Sequence, residues 1–84
     1  MIVSYTLVRV RPRKDREVYR AIKTLPEVKE VTLTYGEYDL LVKVESNSLE
    51  ELDDFVFNKL RRIEGVEATS TLIEVKPPGL EEED

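Results

Sequence analysis

The sequence predicts an α+β domain: one four-stranded antiparallel sheet with two helices on one face, in the order β-α-β-β-α-β. Three observations predict it. Residues 31–35 and 40–44 alternate apolar and polar side chains, as in half-buried strands, and 2–10 and 66–75 also read as strands. Apolar residues recur at helical spacing across 15–25 and 49–63. Pro12, Pro26, Ser48 and Gly65 stand at the junctions, where a chain must stop or start an element.

The first strand, Ile2 to Val10, is rich in β-branched and aromatic residues, and Arg11-Pro12 closes it because proline cannot donate to a ladder. Asp15 is the expected N-cap of the first helix, with Val18, Ala21, Ile22 and Leu25 on one face. Pro26 ends it by restricting the residue before it. A hairpin then occupies 28–45, its two runs separated by a bend at Gly36, which tolerates a positive φ. Ser48 and Glu51 have capping-box spacing at the start of the second helix. Leu49, Leu52, Val56, Leu60 and Ile63 form its stripe, with Phe55 beside it. Gly65 ends that helix, and Val66 to Val75 is the last strand.

This order is the split βαβ arrangement of the ferredoxin-like fold. Residues 1–76 are expected to form the one domain, and 77–84 an acidic, disordered tail. In the first strand Val3, Tyr5 and Leu7 fall on one face, and Ile2, Val8 and Val10 on the other with Ser4 and Thr6. Apolar residues on both faces predict that both are covered. The helices cover one, and a second copy of the chain is the simplest cover for the other.

Composition narrows the function. Eighty-four residues leave no interior for a large pocket, so a small-molecule site is expected between subunits. The chain has no cysteine and no histidine, which removes thiolate chemistry, the commonest general base and the commonest metal ligands. No metal or other cofactor is expected. The net charge of −5, with basic residues scattered, predicts no direct nucleic-acid binding. No apolar run reaches membrane-spanning length, so the expected location is the cytoplasm with no membrane partner. Charged residues make up 37% of the chain, which leans toward a protein made for high temperature.

Two segments offer polar groups for a ligand. Gly36, Glu37, Tyr38 and Asp39 place a free amide beside carboxylates, although a solvated hairpin turn reads the same way. Thr69, Ser70 and Thr71 supply hydroxyls, although threonine is also an ordinary strand residue. Arg9, Arg11, Arg13, Lys14 and Arg16 cluster near a helix start, where an anion could sit or a solvated, ion-paired surface could form. The carboxylate pairs Glu50-Glu51 and Asp53-Asp54 read as helix surface. Tyr5, Tyr19, Tyr35 and Tyr38 lack the strand signature of a base-stacking RNA domain and are expected at an interface or in the core.

Leu25-Pro26-Glu27-Val28, Tyr35-Gly36-Glu37-Tyr38-Asp39-Leu40-Leu41, Gly65-Val66 and Thr71-Leu72-Ile73, in this order, resemble the effector-binding (RAM) domain of the leucine-responsive regulator (Lrp/AsnC) family. The resemblance covers about residues 2–75. It implies the same ferredoxin-like fold, dimers formed through sheet faces, and rings of dimers, commonly octamers. It also implies an amino-acid effector bound between dimers by the loop Gly36, Glu37, Tyr38 and Asp39, with Thr69, Ser70 and Thr71 completing the site. By that resemblance Asp39 takes the ammonium, and the amides near Gly36 take the carboxylate. The sequence begins at the first strand, without the helix-turn-helix of the family's DNA-binding members. The expectation is therefore a free-standing sensor or modulator, not an enzyme, that co-assembles with itself or with full-length regulators. A purely structural oligomerisation module without ligand is the alternative.

Overall fold

The computed structural model describes residues 1–75. β1 (Ile2–Val10), α1 (Asp15–Lys23), β2 (Val28–Leu33) and β3 (Leu40–Ser46) are followed by α2 (Leu49–Asp54). A π-helical segment (Phe55–Leu60) prolongs α2, and β4 (Val66–Ile73) is the last element. The strands form one antiparallel sheet in the order β2-β3-β1-β4. This is the ferredoxin-like arrangement the sequence predicts, with β2 and β4 at the edges.

Most boundaries follow the local signals. Ser48 caps α2, its Oγ accepting from the Glu51 N–H at 3.1 Å. Asp15 is the first helical residue rather than the cap of α1; Lys14 holds the cap position and makes no side-chain cap bond. The acidic Asp15 and Glu17 still lie in the first turn, where the helix dipole favours them. β4 stops at Ile73, two residues short of expectation; Glu74 donates to the Val3 carbonyl as the ladder ends. The expected acidic tail lies outside the described residues.

The core is the layer between sheet and helices. Val8, Val10, Leu40, Val42 and Val44 meet Val18, Ile22, Leu52, Phe55, Val56 and Leu60 there. In β1 burial alternates strictly, with Ser4, Thr6, Val8 and Val10 buried and Val3, Tyr5, Leu7 and Arg9 half-exposed. The half-exposed set forms the uncovered face. Leu7 lies between Leu41 and Ser70 in register, and Tyr5 between Lys43 and Leu72. β2 departs from the predicted alternation. Val31 packs on the core, but Leu33 is 56% exposed and Tyr35 wholly so. Leu33 lies at the sheet edge, where it lines a surface hollow with Arg16, Tyr19 and Arg20 of α1 instead of entering the core.

Candidate functional site

The loop between β2 and β3 is held by its own polar groups. The Thr34 N–H donates to the Asp39 carbonyl at 2.9 Å, and the Thr34 hydroxyl to the Tyr38 carbonyl at 2.9 Å. The Asp39 N–H donates to the Val8 carbonyl, and the Asp39 carboxylate accepts from the Val10 N–H at 2.9 Å. Arg9 lies 5.4 Å from the Tyr38 ring centroid and donates through Nε to the Glu37 carbonyl. Gly36 takes a φ of +111°, as the bend demands.

Asp39 therefore has a structural duty: it continues the β1 edge where the β3 ladder has ended. Asp39→Ala would leave the Val10 N–H without that partner and is expected to cost about 2 kcal/mol, the worth of a hydrogen bond to a charged group. Asp39→Asn keeps an acceptor and should recover most of the loss in thermal melts. The loop also borders a cleft of about 370 Å³ lined by Asp15, Leu33, Thr34, Tyr35 and Asp39.

A second cleft, of about 290 Å³, runs between the far side of α2 and the edge strand β4. Leu52, Asp53, Val56, Phe57, Arg61, Thr69, Thr71 and Ile73 line it. The π-helical segment shapes one wall. In it the Arg61 N–H donates to the Val56 carbonyl five residues back at 2.9 Å, a wider turn than an α-helix allows. Phe55 is fully buried, while Phe57 is 55% exposed and lies under the Arg61 guanidinium at 5.2 Å. Short π-helical turns within helices are rare and concentrate at functional sites. Lys59, in the same segment, pairs with Glu27, and this hydrogen bond raises the lysine above its ordinary value.

Strand alternation shapes the other wall. Thr69 and Thr71 lie opposite Val8 and Thr6 in register, on the helix side of the sheet. The Thr71 and Thr6 hydroxyls are 2.8 Å apart. Ser70 lies opposite Leu7 and so belongs to the uncovered face. The predicted hydroxyl trio is thus divided, with two members in the cleft and one on the other side of the sheet.

Gly36, Glu37, Tyr38 and Asp39 remain together on their loop, but β1 separates them from β4 within one chain. Of the cleft residues, Asp53 reads as helix surface in the sequence, and Phe57 and Arg61 receive no role there. Their signal was the spacing of Asp53, Phe57 and Arg61, four residues apart each time, which aligns them along one helix face. Of the basic cluster, Arg9 is engaged with the loop and Lys14 pairs with Glu17 at 3.3 Å. Among the described residues no acidic or histidine cluster could hold a metal ion, and no helix is long and apolar enough to cross a membrane.

Comparison with known proteins agrees with this architecture. The structure of TTHA0845 from Thermus thermophilus superposes with a TM-score of 0.86 and 39% identity, over 92% of this chain and 96% of that one. The hypothetical protein PHS023 from Pyrococcus horikoshii gives a TM-score of 0.84 and 40% identity, over 93% and 94%. The transcriptional regulator FL11 of Pyrococcus furiosus is 39% identical over 75 residues, which are 89% of this chain and 49% of the regulator. The chain spans about half the length of the curated relatives it matches. A family model described as the Lrp/AsnC ligand binding domain matches residues 3–79. With that model matching nearly the whole chain, this chain belongs to the Lrp/AsnC ligand-binding-domain family.

Proposed function

We propose that this chain is an effector-binding and assembly domain that holds a free α-amino acid in the cleft between the π-helical segment and β4. One observation carries the proposal: a single cleft is lined by one cation, one anion, two hydroxyls and an apolar wall. A zwitterion with an apolar side chain matches that set. Arg61 offers a planar fork for the carboxylate, and Asp53 a partner for the ammonium. Thr69 and Thr71 supply further hydrogen bonds, and Val56, Phe57 and Ile73 the apolar contact. Gly36, Glu37, Tyr38 and Asp39 would reach the ligand from a neighbouring copy, since β1 stands between them and the cleft in one chain.

Copies would pair through the uncovered sheet face, where Val3, Tyr5, Leu7, Leu41 and Leu72 lie among charged neighbours. Ser70 would serve that pairing rather than the ligand. Leu7→Asp places a charge at the middle of this face and should convert the dimer to a monomer in light scattering with the fold retained. Unchanged mass would put the dimer contact elsewhere. In this role the domain reports an amino-acid level, either alone or by joining regulators of its family.

The second reading, a structural module without ligand, is favoured by one detail: the Thr71 hydroxyl already has Thr6 as a partner. Calorimetric titration of the purified chain with each of the twenty amino acids separates the two. Methionine is a sensible first trial, because the same fold occurs in the L-Met complex of the regulator NMB0573 from Neisseria meningitidis, at 22% identity. Saturable binding supports the sensor. A stable assembly that binds none of the twenty supports the structural module.

A further inference from the structure

Residues 9–23 hold seven basic side chains against two acidic ones, in a chain whose net charge is −5. Glu17 is taken by Lys14, and Lys23 lies over the Tyr19 ring at 5.4 Å. The guanidinium groups of Arg13, Arg16 and Arg20 are exposed and have no ion pair or hydrogen bond among the described residues. Arg16 and Arg20 are four residues apart on α1, where like charges repel, so this cluster gains nothing for the fold. Arg13 adds a second cost. The Lys14 N–H donates to the Arg11 carbonyl at 3.0 Å, closing a turn with Pro12 second and Arg13 third. Arg13 has a φ of +70°, and among the described residues it is alone outside glycine in being positive. A type II turn favours glycine or asparagine at that place. Backbone strain kept where a cheaper residue would serve points to a task for the side chain.

Beside these cations lies a groove. A hollow of about 250 Å³ is lined by Arg16, Tyr19 and Arg20 of α1 and by Leu33 of β2. Among the described residues β2 is paired on one side only, by β3. Its register shifts between Val28 and Glu30, but Val31, Thr32 and Leu33 pair regularly with Val42, Leu41 and Leu40. That regular stretch offers main-chain groups to a further strand. Leu33 lies opposite the buried Leu40, on the helix side, so an added strand would turn every second side chain toward α1. Those side chains would recur at about 6.7 Å, and Arg16 and Arg20 stand about 6 Å apart along the helix axis. The spacing suits carboxylates at alternate positions of an extended peptide, with Tyr19 and Leu33 beneath their methylenes.

We infer that this groove takes an extended, acidic segment of a partner protein, added as a strand to β2 with its carboxylates on Arg13, Arg16 and Arg20. Nucleic acid fits less well. A phosphate backbone has no pattern of donors and acceptors to match a strand edge, and the chain as a whole is acidic. Neither the α2–β4 cleft nor the uncovered sheet face takes part, so peptide binding is independent of amino-acid binding.

The probe is a fluorescein-labelled peptide, Glu-Val-Glu-Thr-Glu-Val-Glu, titrated with the full chain and followed by fluorescence anisotropy. It should bind saturably, and the same peptide with glutamine for every glutamate should bind at least about tenfold more weakly. Arg16→Glu combined with Arg20→Glu should weaken binding at least about tenfold with the circular dichroism unchanged. Arg13→Gly should weaken it about threefold while the melting temperature holds or rises, since glycine relieves the positive φ. Amide exchange followed by NMR should slow at residues 31–33 when the peptide binds. No binding, equal binding of the glutamine peptide, or protection confined to other segments would overturn the inference. So would Arg13→Gly that melts lower and binds as well as the parent, which is the mark of a purely structural arginine. Tighter binding of oligothymidylate at the same residues would assign the face to nucleic acid instead. A gain of about tenfold on deleting residues 77–84 would assign it to the chain's own acidic end, and either result would overturn the partner reading.

Discussion

Gly65→Ala is expected to lower the melting temperature by about 15 °C, corresponding to roughly 3 kcal/mol in a domain of this size. Two costs add. Gly65 has a φ of +102°, a conformation that L side chains reach only at about 1–2 kcal/mol. A Cβ there would stand 2.9 Å from Val18 Cγ2 and 3.0 Å from Lys14 Cβ. Val18 is fully buried, so the clash moves into the core and adds about 1–3 kcal/mol of overpacking. The Gly65 carbonyl also accepts from the Arg11 N–H at 2.8 Å, so a shifted turn loosens the end of β1. Gly36→Ala is the matched control. Its φ is +111°, but a Cβ would meet nothing within 4 Å, leaving only the backbone term. Thermal unfolding followed by circular dichroism should show the second variant losing less than half as much. Equal losses would mean that the close approach of Gly65 to α1 contributes nothing.

Arg61→Gln is expected to weaken amino-acid binding by roughly tenfold to a hundredfold, the worth of a charge-assisted hydrogen bond of about 1.5–3 kcal/mol. The guanidinium lies over Phe57 and is flanked by the π-helical turn, so its fork is already partly oriented. Folding should change little, because Arg61 is exposed and makes no buried contact in the core cluster. That contrast matters for reading the result. A loss of affinity without a loss of stability belongs to the site, whereas a variant such as Phe55→Ala would lose both.

Much of the fold was legible because its punctuation is local. Pro26, Ser48 and Gly65 act on their own neighbours, and the alternation in β1 assigns Val3, Tyr5 and Leu7 to one face without reference to the rest of the chain. The resemblance also drew attention to the loop at Gly36 and to Thr69 and Thr71. What the sequence could not supply was non-local. Separation of the loop from the hydroxyls depends on β1 lying between β3 and β4, which is a matter of strand order. Ser70 was grouped with its neighbours in sequence, yet strand alternation sends it to the other face.

The π-helical turn was hidden for a different reason. Leu52, Val56 and Leu60 fit a helical stripe, and a repeat of four residues drifts only slowly around an α-helix of 3.6 residues per turn. Such a stripe does not reveal where a wider turn takes up the drift. Asp53 consequently reads as helix surface and Arg61 goes unremarked, although the folded helix brings both to one cleft beside Phe57.

The most direct measurement is calorimetry of the bound amino acid and its α-carboxamide, each titrated into the parent protein and into Arg61→Gln. A zwitterion held by Arg61 requires the carboxamide to bind the parent at least about tenfold more weakly than the acid, since one charge-assisted bond is lost. The same blocking should cost far less in Arg61→Gln, where the carboxylate's partner is already gone. An equal penalty in both proteins, or no binding of any amino acid to the parent, would contradict the assignment of this cleft as the effector site.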